Sequence, residues 1–279
     1  MDYTLSEYYN KSNLINKVGI IGIGFVGGAI LKSFELKGID VTIYDKYKNI
    51  GIFDNVFSCD IIFLCLPTLF DNDINEYNKL EINKVCNDLN IKKYNGLVIL
   101  KSTVEPETTN NLSNKFNNLK IIHNPEFLSA ITSFEDFHNQ KHIVIGKGPN
   151  CDDKNINDLY EFYKKHYNNA NISICLSLES ECMKLFCNSF YASKIMLFNE
   201  FFLLCNKNGA DFNIIKNLML KNGWINEMHT NVPGSDKKLG YGGACFPKDC
   251  MSLLNYMNRN NTPRKILESV INECENIRK

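Results

Sequence analysis

Short, continuous apolar runs separated by stretches of helical periodicity occupy the first part of the chain. They lie at residues 18–28 (VGIIGIGFVGG), 40–44 (DVTIY), 60–67 (DIIFLCLP), 95–104 (NGLVILKSTV), 119–122, 142–146 (HIVIG) and 172–176. Runs without polar alternation are the signature of strands buried on both faces of a parallel sheet. Between them, residues 77–89, 107–116 and 157–167 carry apolar positions at helical spacing. Strand and helix alternate, which predicts an α/β unit over residues 17–176 built on a doubly wound parallel sheet. Ligands of such sheets gather at the carboxyl ends of the strands, where Pro67, Thr68, Thr103 and Glu126 fall. From residue 177 the period is helical throughout. Residues 179–208 form one long helix candidate free of glycine and proline, followed by 211–221, 248–259 and 263–278. An all-helical unit over 177–279 is therefore expected. Residues 1–16 are polar and tyrosine-rich and read as a poorly structured extension.

The first apolar run ends in Gly22, Gly24 and Gly27, a GxGxxG placed directly after a strand and leading into a helix near Phe25. The first glycine permits the tight turn, the second lets backbone approach a pyrophosphate, and the third lets helix pack on strand. The helix N-terminus then offers free N–H groups to the anion. The second strand ends in Asp45, eighteen positions after Gly27. A carboxylate there accepts from a ribose diol and repels a 2′-phosphate, which favours NAD over NADP. A glycine turn in some other α/β protein is the competing reading. The first unit is thus expected to be a Rossmann-type NAD-binding domain.

Charge and cysteine usage narrow the partners. Lys+Arg and Asp+Glu both number 31, for a formal net charge of zero, and no block of like charge suggests nucleic acid or a membrane surface. No apolar run is long enough to span a membrane, and the start carries no secretory signal pattern. The eleven cysteines are odd in number and scattered without a CxxC, so reduced thiols in a cytoplasmic setting fit better than a disulfide framework or a zinc site. The histidines at 123, 138, 142, 166 and 229 show no ligand spacing, and no metal is expected. The lone Trp224 reads as a packing residue.

One stretch carries reactive chemistry. Residues 239–251 (LGYGGACFPKDCM) put Cys245 after three glycines and just before Lys248 and Asp249. A thiol attacks as thiolate, which nearby cations favour, and the charged pair can tune it and move its proton. A buried cysteine on a Gly-rich turn is the alternative. Lys184 and Asn188 stand four apart and share a helix face. In apolar company a lysine can stabilise an oxyanion; the other reading is a snorkelling surface lysine beside a polar asparagine. Glu181, one turn earlier, reads as a solvated partner. Thr103 and Glu126 at strand ends can order a water or a sugar, or serve as caps and turn residues.

Taken in order, GIGFVG, Asp45, CLPT, KSTVEP, NPEFL, ESECMKLFCN, FNE and GYGGACFPKD resemble the UDP-glucose/GDP-mannose dehydrogenase family from about Lys17 to the chain end. The resemblance implies oxidation of a sugar primary alcohol to a carboxylate in two hydride transfers, using two NAD per sugar. Carried over by motif, Cys245 attacks the aldehyde and passes through thiohemiacetal to thioester. Lys184 and Asn188 stabilise oxygen charge, Asp249 with Lys184 serves the first proton transfer, and Thr103 and Glu126 hold the water that cleaves the thioester. NAD contacts are implied for Gly22, Gly24, Phe25, Val26, Gly27, Asp45, Lys46, Pro67, Thr68 and Thr103. Substrate contacts are implied for Glu126, Phe127, Leu128, Lys184, Asn188, Tyr241 and Gly242. The implied substrate is a nucleotide sugar, UDP-glucose first, with GDP-mannose and UDP-N-acetylmannosamine as alternatives, and the helical unit is expected to form a homodimer.

Three features depart from the family pattern. Ser129 and Ala130 stand where a further substrate-contacting glutamate is common, and the chain between Asp45 and Asp60 is short. The C-terminal α/β domain that grips the nucleoside is expected to be absent. Loss of that remote binding energy can lower kcat as well as raise KM. Two other readings follow: a non-catalytic NAD-binding remnant that associates with a partner chain, and a hydroxyacid dehydrogenase with a Rossmann and a helical unit.

Overall fold

The structure, a computed structural model, describes residues 15–129 and 131–278; most of the expected N-terminal extension and the departure at Ala130 lie outside the described residues. The chain divides into two compact units, one comprising residues up to Thr68 and Asn78–Cys182, the other Leu69–Tyr77 and Met183–Lys279.

The first unit is built on the strands β1 (Val18–Ile21), β2 (Val41–Tyr44), β3 (Ile61–Leu64), β6 (Leu97–Leu100), β7 (Lys120–His123), β8 (His142–Lys147) and β9 (Asn171–Leu176). They form one seven-stranded sheet in the order β2-β1-β3-β6-β7-β8-β9. Because strand side chains alternate, each apolar run feeds two cores. Ile61 and Phe63 face one side with Phe34 of α1 (Phe25–Leu36) and Phe162 of α5 (Asp153–His166). Ile62 and Leu64 face the other with Leu89 of α2 (Leu80–Ile91) and Leu112 of α3 (Thr108–Lys115). This double coverage is why the runs lack polar alternation. The order reverses at β1, whose neighbours are β2 and β3, and such a switch point opens a crevice at the strands' carboxyl ends.

Two details depart from the expected all-parallel sheet and helix pattern. β7 and β8 pair antiparallel. Their connection holds only the six-residue α4 (Ser133–His138), too short to return the chain along the sheet as a parallel crossover requires. The helix expected from residue 77 begins at Leu80. Tyr77 belongs instead to a small antiparallel hairpin, β4 (Phe70–Asp71) with β5 (Glu76–Tyr77). The Asp/Asn-rich NDIN between them makes the turn with Asp71: Asp73 N–H donates to Asp71 Oδ1 and Asn75 adopts φ 53°.

The second unit joins that hairpin to the long helix α6 (Ser177–Asn208), of which it takes the part from Met183, and to α7 (Phe212–Lys221), α8 (Phe246–Arg259) and α9 (Lys265–Ile277). Its core is Tyr77, Leu185, Ala192, Met196, Leu253 and Ile271 with their neighbours. Trp224, expected to pack, is 89% exposed.

Candidate active site

The glycines of the first unit divide their tasks as their spacing demands. Gly22 has φ +90°, and a Cβ on it would lie 2.6 Å from the Cys65 carbonyl oxygen. A Cβ on Gly27 would collide with the carbonyl of Gly22, whereas one on Gly24 would meet nothing within 4 Å. The turn and the helix–strand contact therefore need two of the glycines for the fold itself. Gly24 is left open at the N-terminus of α1, where backbone N–H groups face a prospective anion. Phe25 is exposed and Val26 half-buried on the same turn.

Asp45 sits at the end of β2 and organises this crevice. Its Oδ2 accepts from Ile23 N–H at 2.7 Å, and Oδ1 accepts from Tyr47 and Lys48 N–H at 3.0 and 2.9 Å. Burial alone pushes this carboxyl up, but the three backbone donors and the Lys48 charge outweigh it and hold the group below its ordinary 3.8. A carboxylate offers about four lone-pair positions, so one remains for a hydroxyl. Beside it a cavity of about 130 Å³ is lined by Gly22, Tyr44, Asp45, Lys46, Pro67 and Lys84, among others. These groups fit the adenosine end of a dinucleotide.

The adjoining strand ends are tied together. Thr68 Oγ donates to the Thr103 carbonyl at 2.7 Å, and Ser102 Oγ to the Leu66 carbonyl at 2.6 Å. Glu126 Oε2 accepts from Leu128 N–H at 2.6 Å, and the exposed Phe127 ring stacks on His142. Sequence reading passed over Lys101, which is buried and donates to Asn124 Oδ1 at 2.9 Å and to the Pro125 carbonyl at 3.1 Å. It fixes the turn that carries Glu126.

Glu181 is a correction. Expected to be solvated, it is 0% exposed and accepts from both the N–H and the Oγ of Thr109, at 2.7 and 2.6 Å. Burial raises its carboxyl from the ordinary 4.5 to about 7. The folded state thus binds this proton more tightly than the unfolded chain, so stability falls as pH rises from about 4.5 to about 7 and then levels. The loss is on the order of 3 kcal/mol. A Glu181→Gln variant, whose amide oxygen can keep both Thr109 bonds, is expected to lose that slope. Urea melts at pH 5 and pH 8 check this, and equal slopes in parent and variant refute it.

In the second unit Cys245 is the one exposed cysteine among the described residues, which excludes the buried-thiol reading. It precedes α8, whose first-turn Asp249 N–H donates to the Cys245 carbonyl at 3.0 Å, and a helix N-terminus favours an anion. The loop in front is fastened from two helices. Gly240 N–H donates to Asn199 Oδ1 at 3.0 Å, Cys274 Sγ to the Tyr241 carbonyl at 3.3 Å, and Arg278 Nη1 to the Leu239 carbonyl at 3.0 Å, while Nη2 of Arg278 pairs with Asp236. The Arg278 guanidinium lies where a Cβ on Gly242 would be. The Tyr241 side chain is buried, so any ligand contact at 241–242 is left to backbone.

Asp249 is 0% exposed and accepts from three side chains. Asn188 Nδ2 donates to Oδ2 at 2.6 Å, and Lys248 Nζ and the Tyr77 hydroxyl both donate to Oδ1 at 2.5 Å. Lys184, one turn before Asn188, is 6% exposed and therefore no snorkelling surface lysine. The structure so brings Asn188 and Asp249 into direct contact, while Thr103 and Glu126 belong to the first unit. Tyr77 was missed because its run reads as a helix start.

A Rossmann-type sheet with an open glycine turn and an acid-ended second strand defines a dinucleotide-binding protein, here followed by a helical unit bearing an exposed cysteine beside a buried carboxylate. Comparison with known families narrows the class. Residues 48–165 match the UDP-glucose/GDP-mannose dehydrogenase family NAD binding domain, and residues 178–275 match the central domain of the same family. The chain belongs to that family and carries its NAD-binding domain. It is 35% identical to a UDP-glucose 6-dehydrogenase of Rickettsia bellii over 201 residues, 69% of this chain and 41% of the relative. It is 33% identical to that of Campylobacter jejuni over 230 residues, 80% of this chain and 54% of the relative. The chain spans about half the length of the curated relatives it matches. Among solved structures, a UDP-glucose dehydrogenase from Pyrobaculum islandicum superposes with a TM-score of 0.82 at 22% identity, covering 95% of this chain and 69% of that one. A 3-hydroxyisobutyrate dehydrogenase from Mycobacterium tuberculosis superposes at 0.74 and 14% identity, covering 93% and 92%. These likenesses concern the fold.

Proposed function

We propose that the chain is an NAD-dependent nucleotide-sugar 6-dehydrogenase that converts UDP-glucose to UDP-glucuronate, with Cys245 as nucleophile. The observation that carries the reading is the exposed Cys245 at the start of α8, one turn from the buried Asp249 with its Asn188 and Lys248 donors. A one-step dehydrogenase has no use for such a thiol. NAD, when bound, accepts a hydride in each oxidation. Gly24 offers the pyrophosphate an open backbone, with Phe25 and Val26 on its turn, and Asp45 offers the ribose its remaining acceptor position. Lys46, Pro67, Thr68 and Thr103 complete the crevice.

In the first oxidation the hydroxyl proton passes to the Asp249 and Lys184 pair as the sugar alcohol becomes an aldehyde. The Cys245 sulfur then bonds to the aldehyde carbon, and Lys184 and Asn188 hold the oxygen that gains charge. Loss of the second hydride leaves a thioester. A water held by Thr103 and Glu126 adds to it, the C–S bond breaks, and carboxylate and thiol are released. Phe127 and Leu128 with the 241–242 backbone border the sugar. Storing the aldehyde as a sulfur adduct keeps it from escaping between the two oxidations. The test is NADH formed per UDP-glucose with excess NAD. Two NADH and a carboxylate support the reading, and none with UDP-glucose, GDP-mannose or UDP-N-acetylmannosamine sinks it for this chain alone.

A homodimer through the helical unit belongs to the same proposal. Phe186, Phe190, Leu197, Phe201 and Leu204 are exposed, and at about 100° per residue they fall on one narrow stripe of α6. A contiguous apolar stripe of this kind marks an interaction surface. Phe190→Asp is expected to turn a dimeric parent into a monomer by light scattering; a monomeric parent at micromolar concentration refutes the dimer. Among the described residues no helix is long and apolar enough to cross a membrane. Eleven cysteines, none in a disulfide among the described residues, suit a reducing cytoplasm.

A further inference from the structure

We infer that Tyr77 is a positioning residue for the Lys248–Asp249 pair and so for the first oxidation, an inference that rests on the reaction proposed above. The chain leaves the first unit after Thr68, and the hairpin β4–β5 belongs to the second. Glu76 pairs with Arg259 at the far end of α8, and the Phe70 and Tyr77 rings meet edge-on at 6.3 Å. The hairpin is thus held against α8, and what it delivers is a fully buried tyrosine.

Both ends of that tyrosine are used. Its hydroxyl donates to Asp249 Oδ1 at 2.5 Å, a short charge-assisted bond. Its ring face lies 4.7 Å from Lys248 Nζ, within cation–π range. One side chain therefore grips both members of the ion pair. Asp249 is not held in place by its other partners alone, since Asn188 fixes only Oδ2. The Lys248 side chain is 20% exposed. Without a ring beneath it, its ammonium can turn to water and leave Oδ1 with no donor. Tyr77 closes off that escape and fixes the plane of the carboxylate. A carboxylate that takes a proton from a substrate hydroxyl needs its oxygens held in reach and orientation, so loss of Tyr77 acts on the chemical step rather than on ligand affinity.

The experiment compares the parent chain with Tyr77→Phe and Tyr77→Leu. Expected is a fall in the rate of the first NADH release of about tenfold for phenylalanine, which keeps the ring but not the donor, and about a hundredfold for leucine, which keeps neither. KM for UDP-glucose and Kd for NAD are expected to stay within about twofold of the parent. A larger kinetic isotope effect with sugar deuterated at C6 is expected in both variants, because the chemical step becomes more rate-limiting. Fold defects alone move neither the isotope effect nor the graded order. Equal rates in the parent and Tyr77→Phe overturn the inference. Independently of activity, Tyr77→Phe and Asp249→Asn are combined in a urea-unfolding double-mutant cycle. A coupling of about tenfold in the folding constant is expected, and none overturns the inference. A parent that forms no NADH from any sugar nucleotide sinks the reaction instead; coupling in the cycle then reduces Tyr77 to a structural contact, which overturns its positioning role as well.

Discussion

Replacing Cys245 by serine is expected to cut carboxylate formation by at least about a thousandfold while NAD still binds. The hydroxyl of serine is of similar size and sits at the same exposed position before α8, so folding should be untouched. What is lost is the soft nucleophile. A thiol has an appreciable thiolate fraction near neutral pH, and an alcohol has almost none. The first oxidation does not need the sulfur, so trace aldehyde and at most one NADH per sugar are expected. Without the adduct the second hydride has no covalent donor from which to leave. The measurement is NADH stoichiometry together with mass spectrometry of acid-quenched protein. The parent should carry a sugar thioester on the peptide containing Cys245, and the variant should carry none. Two NADH per sugar in Cys245→Ser would remove the thiol from the mechanism.

Much of this architecture is legible in the sequence because it depends on local period. Ile61–Leu64 is apolar at every position since both sheet faces are covered, and the glycine triplet has fixed steric reasons for its spacing. Thirty-two residues of α6 carry no helix breaker. What escapes is pairing at a distance. Nothing local tells that Glu181 lies against Thr109 rather than in water, since a carboxylate on an exposed turn and one on a buried turn have the same neighbours in sequence. Tyr77 is missed for the same reason: its partner Asp249 lies 172 positions away, and FDNDINEY runs into a genuine helix at Leu80, so the short hairpin is masked by the stronger period. The Asp/Asn-rich turn is the signal that was available. Cys245 lies between these cases. Its motif marks it as reactive, but only its exposure separates it from the ten other cysteines.

The glycine triplet allows the cofactor's requirements to be separated from those of the fold, because Gly24 and Gly27 differ in what surrounds them. A valine at Gly27 drives its Cβ into the Gly22 carbonyl, and backbone cannot move aside as a flexible side chain can. Helix α1 must then lift off β1, where Ile30 and Phe34 are buried in the core shared with Val18 and Ile20. Overpacking of this kind costs about 1–3 kcal/mol or more, so Gly27→Val is expected to lower Tm by roughly 5 °C or more and to abolish NAD binding along with it. Gly24 has an extended φ of −82° and open space around its missing side chain, so Gly24→Val meets no steric obstacle in the free protein. Its Tm is expected to stay within about 2 °C of the parent, while NAD affinity falls about a hundredfold because the new side chain fills the space meant for the pyrophosphate. Calorimetry and NAD titration on the two variants decide the matter. If Gly24→Val binds NAD as the parent does, the pyrophosphate does not lie over this turn, and the cofactor site must be redrawn along the Asp45 side of the crevice.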